Sequence, residues 1–332
     1  MAGAGTVTLA AAVAEAGGLG SFACGLLTPE EVAGVWSDIR KITSKPINLN
    51  FFCHHLPASD QQQQLQWREH LISYYHELNI DPDTIDESPL RMPFDTGMCD
   101  LMEEIKPEVI SFHFGLPDQS LLSRVKSTGA KIISTATTVT EALWLEQMGC
   151  DAIIAQGIEA GGHRGMFLTN DLNTQTSTVP LVQSIGEVVS VPIIAAGGIS
   201  DLATISAVIT AGASAIQVGT AYLFCPEARL SPTYLSMLLS GKHATAITNI
   251  YSGRPARGIM PRLMREIGPM SEFAPAFPYA SRYVTPLRVA AEKNGSPDFS
   301  QMWAGENYHH GEVMPAGLLT KQFGEQALSF MK

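Results

Sequence analysis

The chain has 332 residues, 45% hydrophobic and 16% charged, which is enough apolar material for a large core and unlike the composition of a disordered chain. A formal charge of −11 without a basic stripe argues against a nucleic-acid surface, which needs clustered lysine and arginine to displace counterions. Five cysteines without CxxC spacing, no signal-peptide pattern and no apolar run of membrane-spanning length predict a soluble cytoplasmic protein with reduced thiols and no metal site.

In chain order, Met1-Ala-Gly-Ala-Gly5 leads into an apolar helix over 7–16. Residues 19–23 read as a strand, and Thr28-Pro29-Glu30-Glu31 then opens a helix with a cap, a proline at its first position and acids in its first turn. Strand 47–52 precedes a polar helix in which Gln61 to Gln64 read as a solvated face. Further apolar runs at 109–112, 131–134, 151–156, 192–196 and 215–218 alternate with helical stretches near 117–128, 138–148, 179–190 and 200–211. That rhythm predicts parallel βα units of an α/β, (β/α)8 TIM barrel. Only seven strands are visible, so the first is expected to be absent or cut to a stub: either the true start lies upstream, or Met1 to Gly3 is its remaining carboxyl end, and a barrel open at that seam would expose two strand edges. Seven prolines between 226 and 285, with helical stretches near 231–240, 242–248 and 259–267, predict a small helical lobe over the barrel mouth. The expected units are a barrel over 1–225, the lobe over 226–285, and a segment over 286–332 that returns to the barrel.

Chemistry concentrates in three loops. Gln156-Gly-Ile-Glu-Ala-Gly161-Gly162-His163-Arg-Gly165 follows a short apolar strand, where barrel enzymes hold their reacting groups, and its glycines let the backbone approach a flat or anionic ligand. His163 can exchange a proton near neutral pH; Arg164 reads either as a cation for the ligand or as a partner of Glu159. Ala195-Ala-Gly197-Gly198-Ile-Ser200-Asp201 and Gln217-Val218-Gly219-Thr220 each place glycines between a strand and a following segment, so free N–H groups can meet a phosphate. Asn50, at a strand end, has amide donors and an acceptor to offer a ring edge. His113 is a candidate wall of a substrate pocket, and the hydroxyls of Tyr234 and Tyr283 are candidates to cap a small anion. His54 and His55 read as loop residues.

These segments, with Ala16-Gly-Gly-Leu-Gly20, Asn48-Leu-Asn50-Phe-Phe-Cys-His54, Ser111-Phe-His113-Phe-Gly115 and Trp303-Ala-Gly-Glu, resemble the nitronate monooxygenase family, formerly called 2-nitropropane dioxygenases, in its class I type. The resemblance implies an FMN-dependent oxidation of alkyl nitronates, such as propionate 3-nitronate, by O2 to a carbonyl compound and nitrite through a flavin semiquinone, a detoxification. It implies His163 as the catalytic residue and FMN contacts at Met1, Ala2, Gly3, Asn50, Gln156, Gly161, Gly162, Gly197, Gly198, Gln217, Val218, Gly219 and Thr220. The partners implied are a small nitronate and O2, with the chain a monomer or homodimer. Two alternatives stand beside it: an FMN-dependent enoyl-acyl-carrier-protein reductase of the same barrel type, and a non-catalytic FMN- or phosphate-binding barrel.

Overall fold

The computed structural model describes residues 3–84 and 91–331. Its strands are β1 (Gly20–Ala23), β2 (Ile47–Phe52), β3 (Val109–His113), β4 (Lys131–Ala136), β5 (Ala152–Gln156), β6 (Gly162–His163), β7 (Ile193–Ala196), β8 (Ala215–Gln217), β9 (Thr245–Thr248) and β10 (Ala256–Ile259). Seven of them form one curled parallel sheet in the order β1-β2-β3-β4-β5-β7-β8, as the βα rhythm predicts for a TIM-type barrel. The helices are α1 (Val7–Glu15), α2 (Pro29–Ile42), α3 (Gln61–His70), α4 (Ile72–Glu77), α5 (Thr96–Ile105), α6 (Gln119–Ser127), α7 (Val139–Gln147), α8 (Thr178–Gly186), α9 (Leu202–Thr210), α10 (Pro232–Ser240), α11 (Arg262–Glu266), α12 (Ala280–Lys293) and α13 (Ala316–Phe330). At the start of α2, Thr28 and Glu31 form the reciprocal capping box, worth about 1 kcal/mol.

Two-residue alternation assigns the faces of each strand. Ile47, Leu49 and Phe51 of β2, with Ile110, Phe112, Ile153 and Ile193 on neighbouring strands, pack outward in the core between sheet and helices. Ile133, Ile154 and Ala196 form a separate apolar cluster on the opposite face, which plugs the barrel interior. Asn48 and Asn50 share that inner face and converge on Ser111 Oγ at 2.8 Å each. A truncation such as Ile153→Ala, at a fully buried position, costs about 2–5 kcal/mol.

The seam between β8 and β1 is covered by a helix. α13 packs against both α9 and α1, contributes Leu319, Phe323 and Ala327 to the core, and is tied to the loop after β8 by Tyr222 Oη and Thr320 Oγ1 at 2.8 Å. The carboxyl-terminal segment thus packs on the helices that flank the two edges expected to lie open. Of the amino-terminal stub, Met1 and Ala2 lie outside the described residues; the Ala4 carbonyl accepts from Arg229 N at 2.9 Å and Thr6 Oγ1 donates to the Glu227 carbonyl at 2.6 Å.

Over the mouth, β6, β10 and β9 form a three-stranded antiparallel sheet. Residues 245–248, expected within a helix, are therefore a strand; Thr245, Ile247 and Thr248 are β-branched and tolerate a strand, and the antiparallel pairing with β10 decides for it. The lobe also recruits a segment distant in sequence. Trp67 of α3, Tyr75 of α4 and Leu71 between them pack with Ile250, Tyr251 and Leu263 in a second core. Gln64 is accordingly buried rather than solvated, donating to Ser59 Oγ at 2.8 Å and accepting from Tyr283 Oη at 3.2 Å. Among the described residues no helix is long and apolar enough to cross a membrane.

Candidate active site

His163 is not on a free loop. Gly162, at φ +80°, reverses the chain after β5, and His163 pairs with Ala256 of β10, so the lobe's sheet holds it at the barrel mouth. Its carbonyl accepts from Gln156 Nε2 at 3.0 Å and from His113 Nε2 at 3.1 Å. Since that His113 nitrogen must donate, Nδ1 accepts from Thr135 Oγ1 at 3.1 Å, and both ring nitrogens are spent on scaffolding. Burial, with Arg254 and Arg164 nearby, pushes the His113 ring down to about 3. Gln156 is likewise used at both ends, its Oε1 accepting from Gly165 N at 2.8 Å.

Arg164 has neither of the roles open to it in the sequence. Its fully buried guanidinium donates to the Gly157 carbonyl at 2.6 Å, the Gln156 carbonyl at 2.8 Å and Gln175 Oε1 at 2.9 Å, while Glu159 instead accepts from Thr178. The arginine knits the His163 loop from beneath. Gly161 lies against Ala304 and Gly305, and Glu306 N donates to the Glu159 carbonyl at 2.9 Å, docking the Trp303-Ala-Gly-Glu segment on the same loop.

Around the His163 ring stand Trp303 (centroids 5.4 Å apart), Phe277 (5.6 Å), Phe114 (6.0 Å) and Phe52 (6.2 Å). Its Nε2 is 2.8 Å from Ser252 Oγ. That hydroxyl donates to the Arg254 carbonyl at 3.2 Å, so it accepts from Nε2–H, and the neutral ring keeps its lone pair on Nδ1. Burial holds the ring's proton affinity well below the usual value, with Arg91, His113, Arg254 and His54 adding to the effect. His163 is therefore a neutral acceptor in the free protein.

His54, expected as a loop residue, belongs to this enclosure. It is buried 4.7 Å from the Phe277 ring, bonds the Arg91 carbonyl through Nε2 at 3.1 Å, and is pushed down to about 4 by burial. The sequence held no signal for this, because the ring's neighbours come from other segments. Tyr234 and Tyr283 are committed elsewhere: Tyr234 Oη donates to the Trp303 carbonyl at 2.6 Å, and Tyr283 Oη to Gln64.

The two glycine turns have the features of an anion site. Gly197 and Gly198 adopt φ of +120° and +69°, and the amides of Gly198, Ile199 and Gly219 donate to no other group among the described residues. Ser200 Oγ is buried there without a partner. In the sequence this serine is marked only by its place after the Gly197-Gly198 pair, with no pattern that gives it a role. Gln217 and Gly219 are exposed and Val218 and Thr220 half-buried, while Thr220 Oγ1 accepts from Gly305 N at 3.0 Å. Asn50 Nδ2 is held by Ser111, which leaves its Oδ1 for a ligand at the end of β2. Gly3 is exposed with open space around it. A separate recess of about 520 Å³ along α12, lined by Ile80, Arg282, Thr285 and Val289 among others, includes none of these groups.

Residues 1–324 match the family model described as nitronate monooxygenase. The chain is 35% identical to a nitronate monooxygenase of Pseudomonas aeruginosa over 98% of its own length and 94% of that protein's, and 35% identical to one of Paraburkholderia phytofirmans over 97% and 89%. Among solved structures it resembles a nitroalkane oxidase from Streptomyces ansochromogenes, with a TM-score of 0.90 at 33% identity, covering 99% of this chain and 94% of that one. It also resembles FabK from Thermotoga maritima, with a TM-score of 0.70 at 26% identity, covering 100% and 90%.

Proposed function

This chain belongs to the nitronate monooxygenase family and is an enzyme that oxidises nitronates; we propose that its flavin is FMN, bound across the carboxyl ends of the barrel strands, with His163 at the reacting centre. The observation that carries the reading is the pairing of two features at one barrel mouth: an enclosed, neutral His163, and a phosphate cradle whose Ser200 hydroxyl is buried without a partner. An orphaned buried hydroxyl costs roughly 1–3 kcal/mol unless a ligand satisfies it, so the donor set fits a phosphate. Ser200 with the Gly198, Ile199, Gly219 and Thr220 amides would hold that phosphate, and Asn50 Oδ1 would meet the ring edge. Gln156, Gly161, Gly162, Gly197, Gln217 and Val218 would shape the cradle. When bound, FMN supplies the electron transfer from nitronate to O2.

The protein's part is orientation and proton control. The four aromatic rings around His163 would exclude water from the reacting centre, and Nδ1 of His163 would take the α-proton of a neutral nitroalkane. An incoming nitronate is an anion set against a ring that burial, with Arg91 and Arg254 nearby, keeps neutral, and uptake of one proton turns Nδ1 into a donor for its oxygens. Residues 1–225 would form the cofactor barrel, 226–285 the lobe over its mouth and 286–332 the returning segment, in a cytoplasmic monomer or homodimer.

The test is nitrite release from propionate 3-nitronate by the yellow, flavin-loaded protein without NADH, which separates this reading from the reductase chemistry that the likeness to FabK raises. His163→Asn is expected to retain flavin and lose activity by roughly 10²-fold or more. Unchanged turnover would remove His163 from the centre.

A further inference from the structure

Two half-buried arginines, each with a guanidinium nitrogen sealed from solvent, face the His163 enclosure, and they differ in how their charge is balanced. Arg254 lies 3.9 Å above the Phe114 ring, donates to the Met166 carbonyl and feels the charge of Glu141. Arg91 has no such support. Among the described residues its guanidinium makes no hydrogen bond and no ion pair, its Nη1 is sealed from solvent without a partner, and the charged neighbour that acts on it is another cation, Arg288. Its position is nonetheless held: the chain beyond it is pinned where Phe94 N donates to the Phe52 carbonyl at 2.7 Å, and its own carbonyl accepts from His54. The guanidinium sits 5.8 Å from the centre of the Phe277 ring, whose centre is 5.6 Å from that of His163.

A buried cation without a counter-charge is costly, and a site that keeps one is completed by an anion. The nitronate group belongs at His163, so it is the far end of the substrate that meets Arg91, across the Phe277 ring. A guanidinium presents two parallel N–H donors that match the two oxygens of a carboxylate. We propose that Arg91 is the receptor for a carboxylate on the non-reacting end of the substrate, and that it makes the enzyme prefer carboxylated nitronates over simple alkyl nitronates of the same length. This rests on the nitronate-oxidising reading and assigns the substrate subclass to one residue. Arg91 acts on binding and not on the redox step, so its contribution falls chiefly on KM for the carboxylated substrate.

The experiment compares propionate 3-nitronate with propyl 1-nitronate, which lacks the carboxylate, in the flavin-loaded wild type, Arg91→Met and Arg91→Lys. A charge-assisted contact of this kind corresponds to a roughly 10- to 100-fold loss. The ratio of kcat/KM for carboxylated over plain nitronate is expected to fall by that factor in Arg91→Met, through KM, and to recover in part in Arg91→Lys. Calorimetric titration with succinate, a dicarboxylate that cannot yield nitrite, provides a readout independent of turnover: wild type is expected to bind it and Arg91→Met is not. Equal losses on both nitronates, or succinate binding that ignores Arg91, overturn the assignment while nitronate oxidation stands. Arg91-dependent succinate binding with no nitrite from either nitronate supports the carboxylate receptor and refutes the oxidation.

Discussion

Gly161→Ala tests the docking of the carboxyl-terminal segment on the His163 loop. A Cβ at Gly161 would lie 2.5 Å from the Ala304 carbonyl carbon, 3.0 Å from Ala304 Cα, and closer still to Gly305 N. All three are main-chain atoms, so no rotamer relieves the overlap, and the two segments must separate by about 1 Å to reach ordinary contact. Overpacking of this size costs about 1–3 kcal/mol, offset by about 0.4–1 kcal/mol because alanine restricts the unfolded chain more than glycine and φ here is not left-handed. The net expectation is a loss of about 1–2 kcal/mol in urea unfolding of the flavin-free protein. Function should suffer more than stability, because Trp303 is carried on the displaced segment and its ring stands 5.4 Å from His163; a shift near 1 Å at a reacting centre can cost about 10²-fold in rate. Gly17→Ala is the comparison, since φ +93° there imposes backbone strain in open space away from the site. Wild-type stability and nitrite kinetics in Gly161→Ala would refute the claimed contact between the two segments.

Removal of the hydrogen-bonding arginine beneath the loop, by Arg164→Met, takes the arginine donors from the Gln156 carbonyl and Gln175 Oε1 and leaves the Gly157 carbonyl with Ala160 N alone; it is expected to cost about 2–4 kcal/mol, read by urea unfolding, and a loss below 1 kcal/mol would mean that the loop stands without it. Ser200→Ala should leave the flavin-free protein as stable as wild type, since its hydroxyl has no protein partner, yet weaken FMN binding by roughly tenfold in a fluorescence titration; an unchanged affinity would take Ser200 out of the cradle. Acid should destabilise the fold. The His54 and His113 rings have folded values of about 4 and about 3, below the unfolded value, so the unfolded chain binds more protons and stability declines as pH falls from about 6.5 towards those values. At pH 5 each accounts for about 2 kcal/mol. His54→Gln should reduce the drop between pH 7 and pH 5, and an identical drop in the variant would contradict the assignment.

The parallel sheet, the capped α2 and the glycine turns after β5, β7 and β8 were legible because each is a local pattern. Alternating apolar runs, a Thr-Pro-Glu-Glu start and strand-glycine junctions state their conformation within a few residues, and they brought His163, Ser200 and Gly219 to one barrel end through topology alone. Residues 245–248 were misread because four β-branched and small residues do not choose between helix and strand; the pairing with β10 chooses. The surroundings of His163 were out of reach for the same reason. Ser252 lies 89 positions from it, its ring neighbours come from four separate segments, and only their packing makes the histidine neutral, leaves Arg91 without a counter-charge among the described residues and commits Arg164 to the loop's carbonyls. Which residue types recur along the chain is a one-dimensional property that determines strands, helices and turns, whereas burial, proton affinity and charge balance are set by contacts between distant segments, and those exist only once the barrel and its lobe have closed on each other.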